Sequence, residues 1–222
     1  MEMNVDSGKG RSSIGDGDVC VRPVNLGWVE HKLTDKQMDY VWKCIDEKKG
    51  DKRDHLAGHI SQSNQLLDRN DWFYINTMRP LLKKYIAEFG DQSEVWIPTP
   101  NTPLYMNSWW VNYQKEHEFN PLHTHGGIYS FVIFMNIPYF WTEQNKNPLS
   151  AKSNSSRISN FEFQFPDMLG RVKHYPYKLC PKDNGLMLLF PAKLPHVVYP
   201  FYHCKEDRIT VSGNITYNTN KR

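Results

Sequence analysis

The chain has 222 residues, of which 39% are hydrophobic and 14% aromatic, so it can bury a substantial core and is not a disordered protein. Its 27 Lys and Arg against 24 Asp and Glu leave a net charge of +3, which gives no reason to expect a nucleic-acid partner. No stretch approaches the roughly 18–20 consecutive apolar residues of a membrane span, and the N-terminus has no apolar signal core. We therefore expect a cytoplasmic protein without a membrane partner, and we interpret its four widely spaced cysteines as reduced thiols.

The N-terminus carries few residues that could enter a core. Residues 1–20 are rich in Gly, Ser and Asp, and a segment that buries so little cannot offset the entropy of ordering it. We predict a disordered tail over this range.

Two helical patterns come after the tail. Thr34 and Gln37 fit a capping box and open an apolar period that predicts a helix over 34–48. A second apolar period has Pro80 near its start and Gly90 just past its end. We interpret 21–100 as a helical extension of the same domain, packed on one sheet of the C-terminal half, although such an extension could also support a homodimer.

Residues 101–222 have the composition of a β domain. Short aromatic and β-branched runs alternate there with turn residues, and two of them, SFVIFMNI and GLMLLF, are apolar on both faces, as expected for strands covered on both sides. The Ser- and Asn-rich stretch 145–160 is predicted to be an exposed loop. The predicted strands cover 105–114, 129–137, 160–165, 185–190, 196–199 and 208–217.

Three histidines suggest a metal site. His123 and His125 are two residues apart, so on an extended segment their rings point to the same side. His196 comes after the buried GLMLLF run and a turn, where it could point into a barrel mouth. Three imidazoles can hold Zn, Fe, Cu or Ni, so the ligand type alone does not choose the ion.

The C-terminal strand adds a candidate anion site. Arg208, Thr210 and the next alternate residues share one face of the run RITVSGNIT. A guanidinium fork beside a hydroxyl is what bidentate recognition of a carboxylate needs, and with a metal nearby it suggests a chelating keto-acid cosubstrate. A solvated strand edge would explain the remaining polar residues equally well.

Four stretches, WWVNYQKEHEFNPLHTH, SFVIFMNIP, GLMLLFPAKLPHVVYP and RITVSGN, resemble the Fe(II)/2-oxoglutarate-dependent dioxygenases, in particular a group common in tailed phages with an N-P-x-H-x-H stretch. The resemblance covers about residues 105–217. It implies a double-stranded β-helix (jelly roll) that couples oxidative decarboxylation of 2-oxoglutarate to hydroxylation of a C–H bond by molecular oxygen. It also implies His123 and His196 as iron ligands, Arg208 with Thr210 as the cosubstrate clamp, and Tyr113 with its hydroxyl against the same cosubstrate. Phage kinship would place the protein in an infected host cell.

One position departs from the family pattern, because His125 stands where the family normally has Asp or Glu. Three neutral imidazoles leave the site one charge unit more positive than two imidazoles and a carboxylate. A three-His iron site, a shell completed by water or a distant carboxylate, and a metal other than iron all remain open. We favour the first, with His123, His125 and His196 as ligands.

Two rival functions remain. One is a cupin-like three-His dioxygenase that works without 2-oxoglutarate, and the other is a non-enzymatic jelly-roll module that binds a partner. The substrate, a protein or a small molecule, cannot be read from the sequence, because the fold does not choose among substrates. Trp109, Trp110, Phe131, Phe134 and Trp141 are candidates for an apolar pocket wall, although core packing explains each of them as well.

Overall fold

The computed structural model describes residues 25–91 and 102–218; the predicted tail therefore lies outside the described residues. The helices are α1 (Asp35–Asp46), α2 (Arg79–Phe89) and the short α3 (Trp141–Gln144). The strands are β1 (Val29–Lys32), β2 (Gln62–Gln65), β3 (Leu104–Gln114), β4 (Asn120–His123), β5 (Tyr129–Asn136), β6 (Phe161–Pro166), β7 (Val172–Tyr177), β8 (Leu186–Pro191), β9 (His196–Val198) and β10 (Arg208–Tyr217).

The strands form two antiparallel sheets that face each other as a jelly roll, the predicted fold class. The major sheet has the order β1-β8-β5-β10-β3-β2, and the minor sheet has the order β4-β9-β6-β7. The C-terminal strand β10 lies in the middle of the major sheet, between β5 and β3, so its polar face is not explained by a solvated strand edge.

Side chains of the central strands alternate between two cores. On β5, Phe131 and Ile133 join α1 and α2 on the outer face of the major sheet, whereas Val132 and Phe134 pack between the two sheets. Strand β8 alternates in the same way, with Leu189 outside and Leu188 inside. This alternation explains why both runs are apolar on both faces.

The two predicted helices form close to their predicted limits. The capping box at the start of α1 is complete, because the Thr34 hydroxyl accepts from the Gln37 amide while the Gln37 side chain accepts from the Thr34 amide. Helix α2 has Pro80 in its first turn and Gly90 as its C-cap. One π-helical turn, Tyr74–Met78, directly precedes it.

The description of 21–100 as a helical extension needs a correction. Strands β1 and β2 belong to this segment and form the two edges of the major sheet. Each has only four residues, and β2, with the sequence QSNQ, has no apolar residue at all. No alternation of apolar and polar residues marks such a strand in the sequence. β2 is therefore a strand because its backbone pairs with β3.

The Ser- and Asn-rich stretch 145–160 is not the fully exposed loop that we predicted. Asn147, Ser150, Ser159 and Asn160 are buried. Some of these side chains bond local backbone, as when the Asn147 carbonyl accepts from the Leu149 amide, so a polar composition is compatible with burial here. Among the described residues, no helix is long and apolar enough to span a bilayer.

Candidate metal centre

His123, His125 and His196 meet at one end of the space between the sheets. His123 ends β4 and pairs in register with His196, the first residue of β9. His125 lies two residues after the end of β4, and its backbone amide donates to the Ala192 carbonyl after β8, 2.8 Å away. The potential ligand atoms of the three residues lie within 4.8 Å of one another. The structure therefore brings together the three histidines that the sequence singled out.

Each imidazole is oriented by an acceptor on its Nδ1 atom. Carbonyl oxygens of Pro121 and Leu194 lie 2.7 Å and 3.0 Å from Nδ1 of His123 and His196, respectively. Because a carbonyl can only accept, both rings must carry a proton on Nδ1 and present an unprotonated Nε2.

His125 is oriented by a side chain instead of the backbone. Its Nδ1 lies 3.0 Å from Oδ1 of Asn214 on β10, and the same oxygen accepts from the Ser130 hydroxyl on β5, at 2.8 Å. The Nε2 atoms of His125 and His123 are then only 3.3 Å apart. Two lone pairs at this distance repel each other, and a cation between them would remove the repulsion.

Burial lowers the pKa of all three imidazoles. Desolvation is the main cause for each ring, and it brings the pKa of His125 to about 4, helped by the charge that His123 would carry. His196 is only 3% exposed, and its pKa lies well below the ordinary value. All three rings are therefore neutral at pH 7, the state in which an imidazole binds a metal ion.

The histidines open into a cavity of about 490 Å³ between the sheets. Polar side chains of β3 and β10 form one wall, and apolar side chains of β5, β6 and β8 form another. The described lining residues include no Asp or Glu, so no protein carboxylate faces the three rings there. The polar wall has Ser108, Asn112, Gln114, Thr210, Ser212 and Asn214, and the apolar wall has Val132, Phe134, Phe161 and Phe190.

The two predicted clamp residues occupy different places. Thr210 lines the cavity, whereas Arg208 is fully buried and is not a lining residue. All five N–H groups of Arg208 donate to protein acceptors, which belong to Gln114, Tyr139, Ser159 and Tyr199. The guanidinium group is therefore not an open fork in this structure.

Tyr113 does not reach the site. Asn112 and Gln114 face the cavity, so the intervening Tyr113 points to the helical side of the major sheet. Its ring lies under the Lys48 ammonium group there, with 5.6 Å between Nζ and the ring centroid. The prediction that its hydroxyl faces the cosubstrate is wrong in this structure.

Four of the five aromatic candidates divide between the two sides of the major sheet, and the fifth lies in α3. Trp110 and Phe134 line the cavity, whereas Trp109 and Phe131 lie in the core beneath the helices. Trp141 lies outside the cavity, with the Lys178 ammonium 4.2 Å from its ring centroid.

Sequence reasoning did not select Gln114, Tyr139 and Asn214 as site residues. Asn214 shares the polar face of β10, and Gln114 shares the alternation of Asn112, so a period-two pattern could have indicated both. No sequence pattern around Tyr139 indicates its role, because its hydroxyl accepts a hydrogen bond from Arg208, which is 69 residues away along the chain.

Known proteins resemble this chain in sequence and in fold. The model of a family described as "Putative 2OG-Fe(II) oxygenase" matches residues 108–214, a range that includes all three histidines and Arg208. A prolyl-4-hydroxylase from Pseudomonas putida is similar over 87% of this chain and 94% of its own, with 12% identity and a TM-score of 0.50. An oxidoreductase of the 2OG-Fe(II) oxygenase family from Burkholderia pseudomallei is similar over 86% of this chain and 84% of its own, with 10% identity and a TM-score of 0.51.

A search of curated proteins finds no match to this chain. The named family uses Fe(II) and 2-oxoglutarate, and the three histidines of this chain could bind a metal ion. From residue 108 to residue 214, then, this chain is similar to the 2OG-Fe(II) oxygenases, and its jelly roll is the fold of the two solved structures from Pseudomonas putida and Burkholderia pseudomallei.

Proposed function

We propose that the protein is an Fe(II)- and 2-oxoglutarate-dependent oxygenase whose metal ligands are Nε2 of His123, His125 and His196. The convergence of these three oriented nitrogens at the end of a cavity, inside the range matched by the family model, carries the proposal. Iron with 2-oxoglutarate would supply the oxidation in which 2-oxoglutarate, O₂ and a substrate C–H group become succinate, CO₂ and an alcohol.

The residues of this chain fit such a centre. The acceptors on Nδ1 keep the three Nε2 atoms unprotonated, and burial keeps the rings neutral. The apolar wall excludes water from the side of the cavity that it forms. Because the protein ligands carry no charge, a dianionic cosubstrate would neutralise a divalent ion without help from the protein.

Arg208 and Thr210 remain our candidates for binding the distal carboxylate of the cosubstrate. Thr210 offers a hydroxyl in the cavity. Arg208 lies behind Gln114, a lining residue whose side-chain oxygen accepts two hydrogen bonds from the guanidinium group. Tyr139, whose hydroxyl contacts the same guanidinium group, is a third member of this candidate set. The NPLHTH stretch that resembles phage sequences contains two of the proposed ligands, and kinship with phage proteins stays a prediction.

One observation favours a second candidate, a three-His metal dioxygenase that does not use 2-oxoglutarate. All five Arg208 donors are used by protein acceptors, so a diacid in the cavity would find no free donor on that guanidinium group. This alternative predicts metal binding without succinate formation.

Anaerobic titration with Fe(II) and 2-oxoglutarate tests the proposal. We expect a weak visible charge-transfer band of the chelate in the wild type and its loss in His196→Ala. His31→Ala is the matched control, because His31 lies on the edge strand β1, outside the cavity, and its imidazole Nε2 lies 3.2 Å from the Gln37 side-chain oxygen. Iron binding without the band, and without succinate in air, would select the second candidate. No metal binding would contradict both.

A further inference from the structure

The Arg208 guanidinium is held by four acceptor groups that differ in how easily they can leave. Two are the backbone carbonyls of Ser159 and Tyr199, at 2.8 Å and 2.9 Å, and these cannot withdraw without moving the chain. The Tyr139 hydroxyl is a buried side-chain acceptor. Gln114 differs from the others, since it is the acceptor that also lines the cavity.

Gln114 occupies the edge of the guanidinium that a carboxylate would take. Its single Oε1 atom accepts from Nε at 3.1 Å and from Nη2 at 2.7 Å. These two N–H groups are parallel donors, which a carboxylate satisfies with two oxygens. The amide Nε2 of Gln114 meanwhile donates to the Glu118 carbonyl in the turn after β3.

The charge of Arg208 has no counterion among the described residues, since none of their carboxylates lies within ion-pair distance of the guanidinium group. A fully buried cation that only neutral acceptors surround is unfavourable compared with the same cation beside an anion. An amide oxygen is therefore a weaker partner for this group than a carboxylate would be.

We propose that Gln114 is a displaceable plug, which stabilises Arg208 when the cavity holds no diacid and which the distal carboxylate of a diacid displaces. The inference rests on the proposed 2-oxoglutarate-dependent function. Rotation of the Gln114 side chain, with loss of its bond to Glu118, opens the Nε/Nη2 edge to the cavity. The plug makes the site selective for ligands with a second carboxylate, because a monoacid bound at the metal does not reach the guanidinium.

Calorimetric titrations of the Mn(II)-loaded protein with 2-oxoglutarate and with pyruvate test the plug. Pyruvate has the same keto-acid group for the metal but no distal carboxylate, so its affinity reports the metal centre alone. Gln114→Glu places a permanent carboxylate on Arg208. Gln114→Ala removes the plug. Gln62→Glu is the control, because it adds the same charge at an exposed position of β2 outside the cavity.

We expect Gln114→Glu to lower the affinity for 2-oxoglutarate about tenfold or more and to raise the melting temperature of the ligand-free protein, since a charge-assisted pair replaces an amide contact. We expect Gln114→Ala to raise the affinity for 2-oxoglutarate severalfold. Pyruvate binding should stay within about twofold in both variants, and Gln62→Glu should behave as the wild type.

Three results would overturn the plug alone. The first is equal affinity for 2-oxoglutarate in the wild type and in Gln114→Glu. The second is unchanged 2-oxoglutarate affinity in Gln114→Ala. The third is a loss of 2-oxoglutarate affinity in Gln114→Ala, which would show that the Gln114 amide itself binds the carboxylate. If Gln114→Glu does not fold, the change in 2-oxoglutarate affinity of Gln114→Ala decides: a rise supports the plug, and no change or a fall contradicts it. A wild type that binds no 2-oxoglutarate contradicts the proposed function, and the plug with it.

Discussion

Replacing Asn214 by Leu tests whether the acceptor on His125 orients a metal ligand. The substitution keeps the approximate volume but removes the oxygen that accepts from His125 Nδ1 and from the Ser130 hydroxyl. His125 is then free to take the other tautomer, with the proton on Nε2, where a metal ion would bind. Loss of such a partner typically weakens metal binding about 10- to 100-fold, or about 1.4–2.7 kcal/mol.

The matched control is Asn112→Leu on the neighbouring strand. Asn112 also lines the cavity and is buried, and its Oδ1 accepts from the Ser63 hydroxyl at 2.6 Å, but no hydrogen bond joins it to His123, His125 or His196. Each variant leaves a buried hydroxyl without its acceptor, so both should lose about 1–3 kcal/mol of unfolding free energy. Only the Asn214 variant should lose metal affinity.

Mn(II) titrations monitored by the paramagnetic resonance of the free ion measure the difference. Asn214→Asp supplies a third arm, because a carboxylate acceptor makes the imidazole a stronger ligand, and we expect it to bind Mn(II) more tightly than the wild type. Equal metal affinities in the Asn214→Leu and Asn112→Leu proteins would refute the orienting role of Asn214.

Three further predictions concern protonation, packing and capping. Burial lowers the pKa of His125 to about 4 and holds the pKa of His196 well below its ordinary value, so the unfolded state binds more protons than the folded state below pH 6.5. The melting temperature of the metal-free protein should therefore be constant above pH 6.5 and fall as the pH drops toward 4. A melting temperature independent of pH in this window would contradict the burial of neutral rings. Gly213→Ala places a Cβ 2.6 Å from the Phe131 ring in the centre of the major sheet, and chemical denaturation should show a loss of about 1–3 kcal/mol; a neutral effect would mean that the ring can move aside. Thr34→Ala removes the cap of α1 and should cost about 1 kcal/mol of unfolding free energy, while Thr34→Ser should restore it.

Local patterns predicted the parts of the molecule that local physics controls. The capping box at Thr34 and the apolar period after it indicate α1, because a helix satisfies its own backbone. The His-x-His spacing indicated that two rings point to the same side, and their Nε2 atoms are indeed 3.3 Å apart. Strands with apolar residues on both faces were correctly expected to be covered on both sides.

Features that depend on pairing between distant segments were not predictable in this way. β2 has no apolar residue, and its place beside β3 is decided by hydrogen bonds to residues 45 to 51 positions further along the chain. A shift of one residue exchanges the two faces of a strand, so the assignment of Tyr113 to the cavity could be tested only once the neighbours of β3 were known. The same pairing sets Gln114 opposite Arg208.

Periodicity and residue type were enough to indicate the strongly periodic helices and strands, the apolar residues on both faces of the central strands, and the side chains available for a metal centre. Which of those side chains meet depends on how distant strands pair. His196 reaches the other two histidines because β9 pairs with β4, and Arg208 is covered because Gln114, Tyr139 and the Ser159 carbonyl converge on it. Contacts of this kind join residues 49 to 94 positions apart, and no local periodicity records them.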